Sequence, residues 1–138
     1  MRCLIADDSA TLRDMMSYFL ADCADIVTAC NGREAVRFFT RAYGEKNPFD
    51  MVLLDIVMPE MDGQMALKLM RLVEKALPAE QARRAVIIMT TALDSAENVQ
   101  ESLWQGDCSD YLVKPVVRAE LISMLGRYGL IGEGCQAS

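Results

Sequence analysis

An α/β fold, a doubly wound parallel sheet of five strands with helices on both faces, is predicted for this 138-residue chain by three observations. Apolar runs of four or five residues alternate with helix-period segments from end to end, which is the pattern of repeated βα units. Capping signals open several of the helical segments. Polar residues able to do chemistry stand at or just past the C-terminal ends of the runs: the Asp7-Asp8 pair, Asp55, Thr91 and the Lys114-Pro115 step. Strands that lie parallel in one sheet bring such ends to a common edge, where ligands of open α/β sheets bind.

The elements follow in order. Cys3-Leu4-Ile5-Ala6 is the first strand, and Ser9 caps a helix whose apolar stripe is Leu12, Met15, Met16, Phe19 and Leu20. The second strand runs from about Asp25 to Ala29. Asn31 with Glu34 forms a capping box for a helix that buries Ala35, Phe38, Phe39 and Ala42. Met51 to Leu54 is the third strand. Met58-Pro59 and Asp62-Gly63 mark the loop that follows, and the next helix buries Ala66, Leu69, Met70 and Val73 before ending near Leu77-Pro78. Ala85 to Met89 is the fourth strand. Asp94 and Glu97 cap a helix with Ala96, Val99 and Leu103 inward, and Gly106 ends it. Tyr111 to Val113 is the last strand, and the final helix buries Leu121, Met124, Leu125 and Tyr128. The organisation predicted is one domain over 1–128 and a flexible C-terminal tail over 129–138, which contains three glycines and no periodicity.

Composition narrows the function. A net charge of −6 without a basic stripe argues against nucleic acid as the direct partner. No apolar stretch approaches bilayer length and no secretory leader is visible, so neither membrane insertion nor export is expected. Five cysteines without CxxC spacing suggest a reduced, cytoplasmic chain. With no histidine at all, the protein cannot carry phosphohistidine itself, and a zinc site is disfavoured.

At a shared sheet edge Asp7, Asp8 and Asp55 place three negative charges together, and Lys114 offsets one of them. Like charges at that range repel and raise one another's pKa. The remaining deficit suits a divalent cation, and carboxylate, carbonyl and water oxygens suit Mg²⁺. A carboxylate can attack phosphorus to give an aspartyl phosphate, while a cation and a hydroxyl meet the equatorial oxygens. These acids could instead simply cap the first helix, and Thr91 and Tyr111 could be ordinary strand residues.

Four blocks decide between those readings: Asp7-Asp8, Leu54 to Gly63, Ile88 to Ala92, and Tyr111 to Pro115. In this order and spacing, the chain resembles the receiver domain of two-component response regulators over essentially its whole length, as in single-domain chemotaxis regulators. The resemblance implies the flavodoxin-like strand order 2-1-3-4-5 and a cis Lys114-Pro115 bond. It implies Asp55 as phosphoacceptor, with Asp7, Asp8, Asp55 and the backbone carbonyl of Val57 holding Mg²⁺, and Lys114 and Thr91 contacting the phosphoryl group. Thr91 and Tyr111 would form the switch that remodels the face made by the 94–106 helix, the last strand and the last helix.

The implied function is a phosphorylation-activated signalling switch, catalysing only its own phosphorylation and dephosphorylation. Its donor would be a histidine kinase or histidine phosphotransfer protein. Its output would be an altered contact with a downstream protein, with the domain a monomer or weak dimer. The chain could also be a fragment of a larger regulator or hybrid kinase, or an interaction module that no longer takes phosphate. The stretch from Gly63 to the fourth strand is longer than the family's usual one. Val57 and Leu93 beside the site are apolar, and a slow hydrolysis of the phosphoryl group is expected from them. Trp104 is read as edge-of-core packing, with a partner anchor as the alternative.

Overall fold

A computed structural model describes residues 1–81, 83–92 and 107–130. Among these, five strands are present: β1 (Arg2–Ala6), β2 (Asp25–Ala29), β3 (Met51–Asp55), β4 (Val86–Thr91) and β5 (Asp110–Val113). Four helices accompany them: α1 (Ala10–Leu20), α2 (Gly32–Gly44), α3 (Gly63–Lys75) and α4 (Arg118–Arg127). All pairings are parallel and the sheet order is β2-β1-β3-β4-β5, as expected. The helix expected over 94–106, with Leu93 and Trp104, lies outside the described residues, as do residues 131–138 of the expected tail.

Strand alternation divides the core in two. Val52 and Leu54 of β3 face one way and join Phe39, Ala66, Leu67 and Met70 beneath α2 and α3. Met51 and Leu53 face the other way and join Met16, Leu20, Leu121 and Leu125 beneath α1 and α4. β3 is buried along its whole length because it is central, whereas only Ala29 of the edge strand β2 is fully covered.

The caps act as the residue types predict. Ser9 Oγ accepts from Leu12 N at 3.3 Å and Asn31 Oδ1 from Glu34 N at 2.8 Å. Asp62, read in sequence as part of a loop, caps α3 by accepting from Met65 N at 2.9 Å. Gly129, at φ 68°, ends α4: its N–H donates to Gly126 O at 3.2 Å and that of Leu130 to Leu125 O at 2.9 Å. This is a Schellman closure, in which the left-handed position favours glycine.

Two expectations need correcting. In α3 the fully covered apolar residues are Ala66, Leu67 and Met70, while Leu69 and Val73 are only half-buried. The face turns because Arg71 and Glu74 are also buried, as an ion pair at 2.8 Å. Arg71 donates to the carbonyls of Ala85 (2.9 Å) and Asp107 (2.6 Å), and Glu74 accepts from Ala85 N at 2.6 Å. Polar side chains therefore tie α3 to the start of β4 and the approach to β5. The second correction concerns the thiols: Cys3, Cys30 and Cys108 are free, but Cys23 is disulfide-bonded, so the chain is not wholly reduced.

The longer segment after α3 returns to the sheet by anchored contacts. Tyr43 Oη donates to Arg83 O at 2.7 Å, and the Arg83 guanidinium pairs with Asp50. Asp50 also accepts from Arg2 N at 2.8 Å, which fixes this corner to β1. Burial and the Glu74 charge push the Tyr43 phenol up to about 12, so it remains a donor at neutral pH.

Candidate functional site

Asp7 and Asp8 follow β1, Asp55 ends β3, Thr91 ends β4 and Lys114 follows β5. Because β1, β3, β4 and β5 are neighbours and parallel, their C-terminal ends share one edge. One carboxylate oxygen from each of Asp7, Asp8 and Asp55 lies within 4.8 Å of the others. Asp7 and Asp55 are buried and Asp8 is exposed, so the cluster opens to solvent on one side.

Lys114 is half-buried, and its ammonium stands 3.1 Å from Asp55 Oδ1 and 3.3 Å from Asp7 Oδ2. The Lys114-Pro115 peptide is cis, as expected. Lys114 N donates to Thr91 O at 2.7 Å, which ties the base of the lysine to the end of β4.

Backbone donors hold the acids in place. Ser9 N donates to Asp7 Oδ1 at 2.9 Å, and Val57 N approaches Asp55 Oδ1 at 3.4 Å. The Arg13 guanidinium donates to the backbone carbonyl of Asp7 at 2.8 Å. Arg13 is missing from the sequence reading, although its place one turn along α1 from the acidic pair could have flagged it. Gly63 opens α3 directly beneath β3, its N–H donating to Ile56 O at 2.8 Å. A Cβ there would overlap the carbonyl oxygen of Asp55. The closeness of this turn is what lets the chain leave β3 without displacing Asp55.

The electrostatics follow from burial. Loss of water first, and the Asp7 charge second, push the Asp55 carboxyl above its ordinary range, and Lys114 only partly offsets them. Burial lowers the Lys114 ammonium, but Asp55 and Asp7 together outweigh it, and the net direction is up. Asp7 Oδ2 is buried with no hydrogen-bond partner among the described residues. Lys114 lies 3.3 Å from it as an ion pair without hydrogen-bond alignment. An orphaned buried carboxylate oxygen beside two more carboxylates is the donor set a hard divalent cation takes.

The other expected residues stand further out. Thr91 is buried, and its hydroxyl donates to Ala92 O at 3.0 Å rather than to a carboxylate. By strand alternation Thr91 shares its parity with Met89, on the α2–α3 side of the sheet. Tyr111 pairs with Met89 in register and packs half-buried against that same core. Thr91 and Tyr111 are thus on one face and the Asp7–Asp55–Lys114 set at the edge above it. Val57 is 70% exposed immediately after the site.

A cis peptide, an acidic trio and a bridging lysine at the edge of a 2-1-3-4-5 sheet define a receiver-type site, and comparison with known proteins agrees. Residues 3–126 match the response regulator receiver domain family, and the chain belongs to it. It is 33% identical over 121 residues to the two-component response regulator ORR21 of Oryza sativa, covering 88% of this chain and 16% of that protein. The chain thus spans about one-sixth of the length of that relative. Among solved structures, the chemotaxis protein CheY4 of Vibrio cholerae superposes with a TM-score of 0.72 at 33% identity, covering 91% of this chain and 96% of that one. The receiver domain of a Pseudomonas aeruginosa sensor histidine kinase, solved with a magnesium ion coordinated in its active-site cleft, gives a TM-score of 0.72 at 28% identity. Coverage there is 92% of this chain and 95% of that one. Receiver domains are signalling switches rather than conventional enzymes, and this chain is one by family and fold.

Proposed function

We propose that Asp55 is the phosphoacceptor of this receiver, loaded from the phosphohistidine of a partner kinase or phosphotransfer protein. The observation that carries the reading is the Lys114 ammonium held between Asp55 and Asp7. An Asp55 carboxylate oxygen would attack phosphorus as the bond to the donor imidazole breaks, and the imidazole leaves as the neutral ring after taking a proton. Lys114 neutralises charge on the incoming oxygens, and the Thr91 hydroxyl turns from Ala92 O to a third one. The domain contributes positioning and charge, so it catalyses its own modification and its own hydrolysis.

The acids fit Mg²⁺: Asp7, Asp8, Asp55 and the carbonyl of Val57 would hold it. When bound, it supplies positive charge to the phosphoryl oxygens. Tyr111 would follow the Thr91 hydroxyl inward, remodelling the face of β5 and α4 that a downstream protein reads. A cytoplasmic location goes with this reading, since kinases charged from ATP are the donors; the Cys23 disulfide is the one feature against it.

The length of ORR21 favours one variation, in which the chain is the receiver portion of a longer regulator. The site chemistry is the same in either case. Incubation with acetyl phosphate and Mg²⁺, read by intact mass, tests the proposal. A phosphoryl adduct lost in Asp55→Asn and in EDTA is expected. No adduct, with Mg²⁺ binding shown separately, would leave a phosphorylation-independent interaction module.

A further inference from the structure

The end of the sheet opposite the acidic trio holds a second gathering of charged groups. Arg2 opens β1 and Phe49 precedes β3, while Arg41 stands in the last turn of α2 and Glu45 follows that helix. With Val27 of β2 and with Phe38 and Ala42 of α2, they line a cavity of about 290 Å³ between helix and sheet. Its apolar part, Val27, Phe38, Ala42 and Phe49, is the margin of the core beneath α2 and α3. Its charged part is two guanidinium groups and one carboxylate.

Both cations are held over aromatic rings. The Arg2 guanidinium lies 4.5 Å from the centre of the Phe49 ring, and that of Arg41 lies 5.7 Å from the centre of the Phe38 ring. Stacking fixes the plane of a guanidinium and leaves the edge of its N–H fork for another partner. Arg2 uses one N–H on the carbonyl of Asn47. Among the described residues, neither Arg2 nor Arg41 has a side-chain carboxylate at ion-pair distance, Glu45 included. Asp50 binds the backbone N–H of Arg2 and the Arg83 guanidinium instead. Acids outnumber bases in this chain by 20 to 14, so two cations lining one cavity without an acid are unusual for it.

We propose that this cavity binds a small organic monocarboxylate with a planar apolar body. The forks of Arg2 and Arg41 take the carboxylate, and Phe38, Phe49, Val27 and Ala42 take the ring. An apolar enclosure with a few convergent polar groups is the usual make-up of a small-ligand site. A charged acceptor also forms stronger bonds to guanidinium N–H groups than a neutral one does. Two cations against Glu45 leave one net positive charge, which a monoanion neutralises and a dianion exceeds. Asp7, Asp8, Asp55 and Lys114 take no part, so the proposal stands apart from the phosphoacceptor reading.

The test uses the full chain, labelled with nitrogen-15, and 3-phenylpropionate as the probe. The controls are 3-phenylpropan-1-ol, 3-phenylpropylamine and acetate, which in turn remove the charge, reverse it and remove the ring. Binding is read from amide chemical shifts. The probe is expected to bind at least fivefold tighter than each control, with shifts centred on residues 2, 27, 38–45 and 49. Arg41→Gln and, separately, Arg2→Gln should each weaken it at least fivefold, while Glu45→Gln should tighten it about twofold. Arg33→Gln makes the same charge change on α2 away from the cavity and should alter affinity less than twofold. Ligand-free spectra of the variants check their folding, and Arg41 is exposed, so that variant tests the site even where Arg2→Gln disturbs β1. Equal affinity of the alcohol or of acetate, tighter binding of the amine, or shifts mapping elsewhere would each overturn the proposal. So would the absence of any saturable shift at millimolar probe.

Discussion

The Lys114 ammonium lies 3.1 Å from Asp55 Oδ1 and 3.3 Å from Asp7 Oδ2, so one cation serves two buried carboxylates that follow different strands. The pair of acids stays under-compensated. The behaviour of the site without metal follows from that imbalance.

Asp55 titrates above its ordinary range when folded, so its ionised form disfavours the native state. The sign is opposite to that of a salt-bridged aspartate. Stability of the metal-free protein should include a component that grows as pH falls from neutrality through the raised Asp55 value. Asp55→Asn should remove that component and stabilise the metal-free protein at pH 7 by about 1–2 kcal/mol. Urea unfolding between pH 5 and 8 in EDTA checks both, and a destabilised Asp55→Asn would contradict the electrostatic account.

Lys114→Met leaves both buried acids without a cation and should cost about 1–3 kcal/mol at pH 7. Lys114 is raised by Asp55 and Asp7, so its contribution is complete below the unfolded value and is lost only as pH rises through the folded one. The share due to Asp55 should disappear in the Asp55→Asn background, while the share due to Asp7 remains. A coupling energy near zero in that double-mutant cycle would show the contact to be energetically idle.

The ion pair of Arg71 and Glu74 is buried at 5% and 8% side-chain exposure and makes four further hydrogen bonds to Ala85, Asp107 and Ser109, which lead into β4 and β5. Removing one partner strands the other charge. Glu74→Gln or Arg71→Met should each lower stability by about 3 kcal/mol, while the paired replacement Arg71→Met/Glu74→Met should cost less than the sum of the two single changes. Chemical denaturation of the four proteins measures this.

Gly63→Ala forces a methyl group into the Asp55 carbonyl. We expect a loss of about 2–4 kcal/mol and weaker Mg²⁺ binding, because the backbone of Asp55 itself must move. Ala at Gly44, where an added Cβ meets nothing within 4 Å, is the matched control and should not destabilise.

Val57 stands 70% exposed beside Asp55, and a polar side chain there could align a water for attack on phosphorus. Val57→Asn should shorten the phosphoryl half-life several-fold in a mass-spectrometric decay assay. An unchanged half-life would remove the apolar residue as the cause of slow hydrolysis.

Much of this was legible in the chain itself. Strands, turns and caps obey local rules: alternation, helical period and the hydrogen-bonding habits of Ser, Asn, Gly and Pro. Local rules place Asp7, Asp8, Asp55 and Lys114 at strand ends, and a parallel sheet then brings them to one edge. What stayed hidden depends on neighbours distant in sequence. Arg71 and Glu74 are buried because Ala85 and Asp107, distant in sequence, supply their partners. Leu67, outside the expected stripe, is covered while Leu69 and Val73 are only half-buried, because the Arg71–Glu74 pair shares the buried face of α3. The orphaned Asp7 oxygen and the shared lysine are distances across three strands, which only the folded sheet sets. Sequence determined the elements and the inventory of reactive groups, because those follow from each residue's own chemistry. Tertiary structure decided which charges are paired, buried or left facing solvent, because burial and Coulomb energy depend on what the fold brings alongside.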